Sequence, residues 1–320
     1  MKKRIRGLKR LLTATMVFVL VICGSNLTAF AGTSEDTAGG ETLLICNKDG
    51  SVTYQTIPAQ EQTEVDVDES DIVCDMDASE SSMWHSKTDD QISTLAASSL
   101  DPVSLLSVTF APYKYSCLIE SAFPSGDTIA SSGILVGKNI VLASGHGVYD
   151  SKRGGSATNV RVKVGAYYTS TGESKYQSGM YQKENIIIHK DWAENGLDKA
   201  DWALITIPTT FDSYQKCGYA SDYTRVMERK ITLLGYPGKQ FCCSKGQITG
   251  TTDYKWNEAN KGLWTTSAQS DHGMSGGPAI DDETGAVIGV IKGKDTPIIG
   301  SNAVVPLTKV VIDAIKTYSK

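Results

Sequence analysis

Histidine is scarce in this chain of 320 residues: there are four, and none follows Ser275. Any imidazole chemistry at the glycine-rich turn "SDHGMSGGPAI", residues 270–280, must therefore draw on His85, His146, His189 or His272. After residue 31 no apolar run approaches the roughly 20 residues that a membrane-spanning helix needs, so a stable membrane anchor is not expected. None of the cysteines has paired zinc-ligand spacing, and neither a metal nor a cofactor is expected. A basic stripe is missing too, which argues against nucleic-acid binding. No internal repeat is visible.

Charge divides the chain into three. Residues 1–31 carry six Lys or Arg and no acid. Residues 32–100 carry fifteen acids against two bases, Lys48 and Lys87. Residues 101–320 are nearly balanced, with twenty-three bases and twenty-one acids. The first region has a basic start, an apolar run centred on Met16 to Cys23, and Ala29-Phe30-Ala31 at its end. That is the pattern of a secretory signal peptide cleaved after Ala31, and it predicts an extracellular protein. Export permits disulfides, but the six cysteines left after Cys23 cannot be paired from sequence.

Residues 32–100 read as an acidic propeptide. From Gln60 to Ser99 few large apolar residues interrupt the Asp, Glu, Ser and Thr, a composition that favours disorder. The earlier "ETLLICNKDGSVTYQTI" reads instead as two short strands around a "KDG" turn. From residue 101 to 320 short β-rich runs alternate with Gly, Asn and Asp turns: "GILVGKNIVLAS", "ADWALITI", "KITLLGYPG", "GQITGT", "GLWTTSA" and "GAVIGVIKG". Their spacing predicts an all-β fold. "VPLTKVVIDAIKTYSK" has apolar residues at three- and four-residue steps after Pro306 and predicts one C-terminal α-helix.

A serine hydroxyl is a weak nucleophile. It needs a base for its proton and donors for the oxyanion that forms. Glycines beside Ser275 let the backbone amides of Gly273 and Ser275 turn toward one point. His85 lies in the acidic region, His272 is on the serine's own turn, and His189 follows an apolar strand. His146, in "GHGVYD" after the strand "NIVLAS", is the base best placed. Asp201, directly before the apolar strand of "ADWALITI", fits as its orienting partner, with Asp198 as the rival in more polar surroundings. "GMSGG" also satisfies the G-x-S-x-G pattern of α/β-hydrolases, but those need a histidine after the serine. The order here is His146, Asp201, Ser275.

On these residues the segment 130–320 resembles the bacterial trypsin-like serine proteases, and among them the glutamyl endopeptidase group. The matching pieces are "ASSGILVGKNIVLASGHGVYD", "ADWALITI", "LLGYPGK" and "GMSGGPAI". The resemblance implies two packed antiparallel six-stranded β-barrels with the site in the cleft between them. It implies His146 as general base, Asp201 as its partner, Ser275 as nucleophile, and the amides of Gly273 and Ser275 as oxyanion hole, acting on protein or peptide substrates as a monomer. Met274 stands where trypsin has the aspartate of its activation switch. The resemblance puts the substrate pocket at Gln269, Ser270 and His272, and then at Ile291, Lys292, Gly293 and Lys294. Lys292, Lys294 or His272 would attract an acidic P1 side chain. A catalytically silent secreted binding protein is the alternative from another functional class. The acidic segment would act as an inhibitor drawn to the same lysines, removed by a cut between Trp84 and Pro102.

Overall fold

A computed structural model of the chain describes residues 40–58, 100–169, 173–219, 226–252, 262–293 and 302–319. The signal sequence, Gln60–Ser99 and Lys294 lie outside the described residues. In chain order the strands are β1 (Glu41–Cys46), β2 (Val52–Ile57), β3 (Asp101–Pro102), β4 (Ser116–Ala122), β5 (Thr128–Gly137), β6 (Ile140–Ala143), β7 (Tyr149–Asp150), β8 (Gly155–Ser156), β9 (Asn159–Tyr168), β10 (Ser174–Gln182), β11 (Ile186–His189), β12 (Ala203–Thr206), β13 (Lys230–Gly235), β14 (Cys242–Thr251), β15 (Trp264–Thr266), β16 (Pro278–Asp281), β17 (Val287–Gly293) and β18 (Asn302–Pro306). The α-helices are α1 (Lys190–Asn195) and α2 (Lys309–Tyr318).

The fold is mostly β, as the strand spacing predicts. Nine strands form one sheet in the order β10-β9-β4-β5-β6-β12-β11-β1-β2. Seven form a second in the order β13-β16-β17-β18-β15-β14-β3, and β7 pairs with β8 in a small two-stranded sheet. Pairing of β13 with β14 closes six of these seven into a barrel. The expected second barrel is therefore present. The first appears as an extended sheet, with no closing strand pair among the described residues. "GILVGKNIVLAS" forms the end of β5 and all of β6, joined across Lys138 and Asn139. Both strands turn apolar residues inward, and Ile134, Leu135, Ile140 and Leu142 have no solvent exposure.

At the C-terminus the helix starts three residues later than Pro306 suggests. Pro306 is the last residue of β18, where it pairs with Gly289 and its missing N–H interrupts no further ladder bond. The helix buries Val311, Ile312, Ala314 and Ile315. Five cysteines, Cys46, Cys117, Cys217, Cys242 and Cys243, are free thiols among the described residues.

The "KDG" hairpin forms as expected, with Gly50 at φ +84° in its turn. β1 then adds to the nine-stranded sheet, pairing antiparallel with β11 from Leu43 opposite His189 to Cys46 opposite Ile186. Leu43, Leu44, Cys46 and Ile57 are buried in the main core. His189 accepts the Asp191 N–H at Nδ1, which leaves its Nε2 to donate to Glu41 at 2.7 Å. Tyr318 of α2 donates to Gln55 of β2. A detachable spacer would bury little, so the expected result separates the two cases: Leu43→Ala should cost about 3 kcal/mol of unfolding free energy by urea denaturation. A cost near zero would show the hairpin to be peripheral to stability.

Candidate active site

Three chain segments converge at the junction of the two sheets. β6 and β12 are antiparallel neighbours, with Ala143 opposite Ala203. The residues just after β6 and just before β12 therefore lie at the same end of the sheet, and these are His146 and Asp201. The chain turns tightly there: Val148 and Tyr149 both donate their N–H to the Gly145 carbonyl. His146 Nδ1 lies 2.7 Å from Asp201 Oδ2, and the His146 N–H donates to Asp201 Oδ1, also at 2.7 Å. Asp201 is completely buried. Burial alone would raise its pKa, but His146 and the Lys292 ammonium outweigh that and hold the carboxyl well below the usual carboxylate range. With Asp201 ionised, Nδ1 carries the imidazole proton and Nε2 keeps its lone pair.

The Ser275 turn is held against both sheets. Gly273 has φ +99°, and a Cβ there would stand 2.5 Å from the Tyr236 carbonyl oxygen. Gly276 has φ +87°, and its Cβ would collide with the Ser132 carbonyl. Both positions therefore require glycine. Ser132 on β5 fastens the turn: its N–H donates to the Ser275 carbonyl at 2.8 Å and its Oγ donates to the Gly273 carbonyl at 2.7 Å. The Ser132 Oγ also accepts the Tyr236 N–H. Tyr236, the tyrosine of "GYPG", reaches the first sheet with its hydroxyl, donating to the Ala166 carbonyl at 3.0 Å. Among the described residues neither the Gly273 N–H nor the Ser275 N–H meets an acceptor. Two amide donors of the same turn thus remain available beside the serine.

The structure brings His146 and Asp201 together, as sequence reasoning expected; Ser132 gave no sign of its place, because a buried serine within a strand carries no local signal. The Ser275 hydroxyl donates to the Lys292 carbonyl at 3.2 Å.

The pocket residues are placed unevenly. Ser270 is buried, and both its N–H and its Oγ donate to Asn302 Oδ1, at 3.1 and 2.8 Å. His272 is exposed, with its N–H on Asp271 Oδ1. Ile291 is buried in the core of the second barrel, in one hydrophobic cluster with Met274, and its backbone bonds Gly276 and Gly277 of the serine turn. Lys292 is placed differently from the sequence expectation. Its ammonium bonds Asp201 Oδ2 and lies 2.8 Å from Asp198 Oδ1, so two carboxylates already satisfy it. The same ammonium sits 4.7 Å from the ring centroid of Trp192, whose edge also faces His146.

A family profile described as "Trypsin-like peptidase domain" matches residues 131–290, half of the chain. The chain belongs to the trypsin-like peptidases. Solved structures agree on the fold of this trypsin-like peptidase. A Glu endopeptidase in complex with MPD aligns at TM-score 0.53 and 18% identity, covering 70% of this chain and 98% of its own. The protease Anisep from Arthrobacter nicotinovorans aligns at TM-score 0.52 and 18% identity, covering 64% and 94%. A thermostable serine protease, AL20, from an extremophilic microorganism aligns at TM-score 0.52 and 16% identity, covering 64% and 96%. At these identities the structural likeness speaks to the fold alone. A search of curated proteins finds no match. Among the described residues no group of three or more His, Cys, Asp or Glu is arranged to hold a metal ion.

Proposed function

We propose that this trypsin-like peptidase is a secreted serine endopeptidase in which Ser275 is the nucleophile, His146 the general base and Asp201 the group that orients the base. The observation that carries this is the 2.7 Å contact between His146 Nδ1 and the buried, ionised Asp201. It fixes the tautomer in which Nε2 takes the serine proton. The hydroxyl oxygen then bonds to the scissile carbonyl carbon, and the amides of Gly273 and Ser275 receive the oxyanion. His146 returns the proton to the leaving amine, and water repeats the sequence on the acyl-enzyme.

Acidic P1 residues are the proposed preference. With Lys292 engaged by Asp198 and Asp201, the support comes from exposed His272 beside the turn and from the polar Ser270–Asn302 pair. The chain is proposed to mature by a cut between Trp84 and Leu100, since Asp101 and Pro102 pair with Cys243 and Cys242 in β3. Such a cut leaves the 40–58 hairpin bonded to β11. Peptide-library profiling of the mature enzyme tests the reading: cleavage after Glu and Asp is expected. Equal cleavage after Leu, Phe or Lys would remove the acidic preference, and absence of any cleavage would remove the peptidase reading.

A further inference from the structure

The side chain of Lys292 keeps only 11% of its full exposure and lies at the heart of the site rather than in its pocket. Among the described residues its ammonium meets Asp201, Asp198 and the ring of Trp192. Burial opposes an ammonium, but the two carboxylates outweigh that and raise the Lys292 pKa above its ordinary value, so it is charged. Through its backbone carbonyl the same residue accepts the Ser275 hydroxyl. One residue therefore touches the acid of the proposed triad with its side chain and the serine with its main chain.

Neighbouring charges are occupied elsewhere. On α1, Asp191 faces His189 and Asn195, and Glu194 faces Lys190. On the serine turn, Asp271 is exposed and accepts the His272 N–H. His272 is exposed to solvent. Among the described residues, the charged cluster joined to His146 through Asp201 thus consists of Asp201, Lys292 and Asp198.

A buried lysine bonded directly to the orienting acid cancels the negative charge that an imidazolium needs beside it. Asp198 restores it. Two carboxylates on one ammonium give the cluster one net negative charge. We propose that Lys292 and Asp198 are paired positioning residues of the reaction: Lys292 clamps Asp201 in place, and Asp198 returns the cluster to the single negative charge that stabilises protonated His146 in the transition state. This rests on the triad reading above and deepens it.

The test is the rate at which a fluorophosphonate labels Ser275 in the chain after the cut between Trp84 and Leu100, with the 40–58 hairpin retained, followed against pH. The serine oxygen bonds to phosphorus as fluoride leaves and the proton passes to His146, so the rate follows the base and is independent of P1 preference. In Asp198→Asn the cluster is neutral, imidazolium is disfavoured, and the acid limb should move to lower pH by about one unit, with slower labelling on the plateau. In Lys292→Met the cluster gains negative charge and the limb should move to higher pH. In the double variant Asp198→Asn, Lys292→Met the single negative charge returns, and the limb should return close to that of the wild type. A purely structural role would slow labelling without opposed shifts. An Asp198→Asn limb at or above the wild-type position overturns the proposal, as does a double variant that keeps the full Asp198→Asn shift. Asp198→Asn is nearly isosteric, so it decides the matter even if Lys292→Met fails to fold. Absence of labelling in the wild-type chain overturns the triad reading itself, and this proposal with it, and is distinct from labelling without a shift.

Discussion

Ser275→Ala is expected to lower turnover of a disordered protein such as casein by about 10⁶, to the level left by binding and the oxyanion donors alone. The substitution removes one oxygen, whose hydrogen bond is to the Lys292 carbonyl. The carbonyl and amide groups that hold the turn, on Ser132, Gly273 and Ile291, are untouched. Unfolding free energy should therefore change by less than about 1 kcal/mol. Activity and stability separate in this variant, and the pair of measurements is informative together. A large loss of both would mean that the hydroxyl serves the fold, and retained turnover would mean that another group attacks the substrate.

Asp201→Asn is expected to cost about 10⁴ in turnover if the site follows the triad template, and the geometry here adds a reason of its own. Three donors converge on this carboxylate: the His146 N–H on Oδ1, and His146 Nδ1 and Lys292 Nζ on Oδ2. A carboxylate accepts all three. An asparagine has one oxygen and one NH₂ group, so either orientation sets a donor against a donor. With the NH₂ toward His146 Nδ1, the imidazole takes the wrong tautomer and Nε2 loses its lone pair. With the NH₂ toward the His146 backbone, the tautomer survives but the turn is forced open. Lys292 also loses half of its compensation in a buried place, so the variant should be less stable by about 3 kcal/mol as well. Asp198→Asn, which acts only through Lys292, should also lower turnover at its own optimum, but by far less. Kinetic constants for the two asparagine variants, measured on the same substrate, check this: a loss at Asp201 no larger than at Asp198 would exchange their roles.

The parts of the site that the sequence exposes are those determined by local chemistry. A serine among glycines, two of which need positive φ, marks a turn by its composition. His146 and Asp201 are visible because each flanks an apolar strand, and antiparallel pairing of those strands brings their ends together. What could not be read depends on distant partners. Lysines are usually solvated, so Lys292 looks like a pocket cation until β17 is placed beside Asp201, ninety-one positions earlier. Ser132 looks like any strand serine until the turn from the other sheet settles on it. The hairpin was legible as two strands, but its seat was not. Its neighbours in sequence are acidic and polar, while its partner β11 lies far along the chain. Pro306 misled because proline suits both a helix start and a strand end, and only the pairing with Gly289 distinguishes them.

The most direct measurement of the central claim is the site of covalent modification by a fluorophosphonate, located by peptide mass spectrometry. The account predicts a single adduct, on Ser275, formed on the wild-type chain, absent from Ser275→Ala and formed far more slowly on His146→Ala. No adduct on the wild-type chain, or an adduct on any other residue, would contradict it.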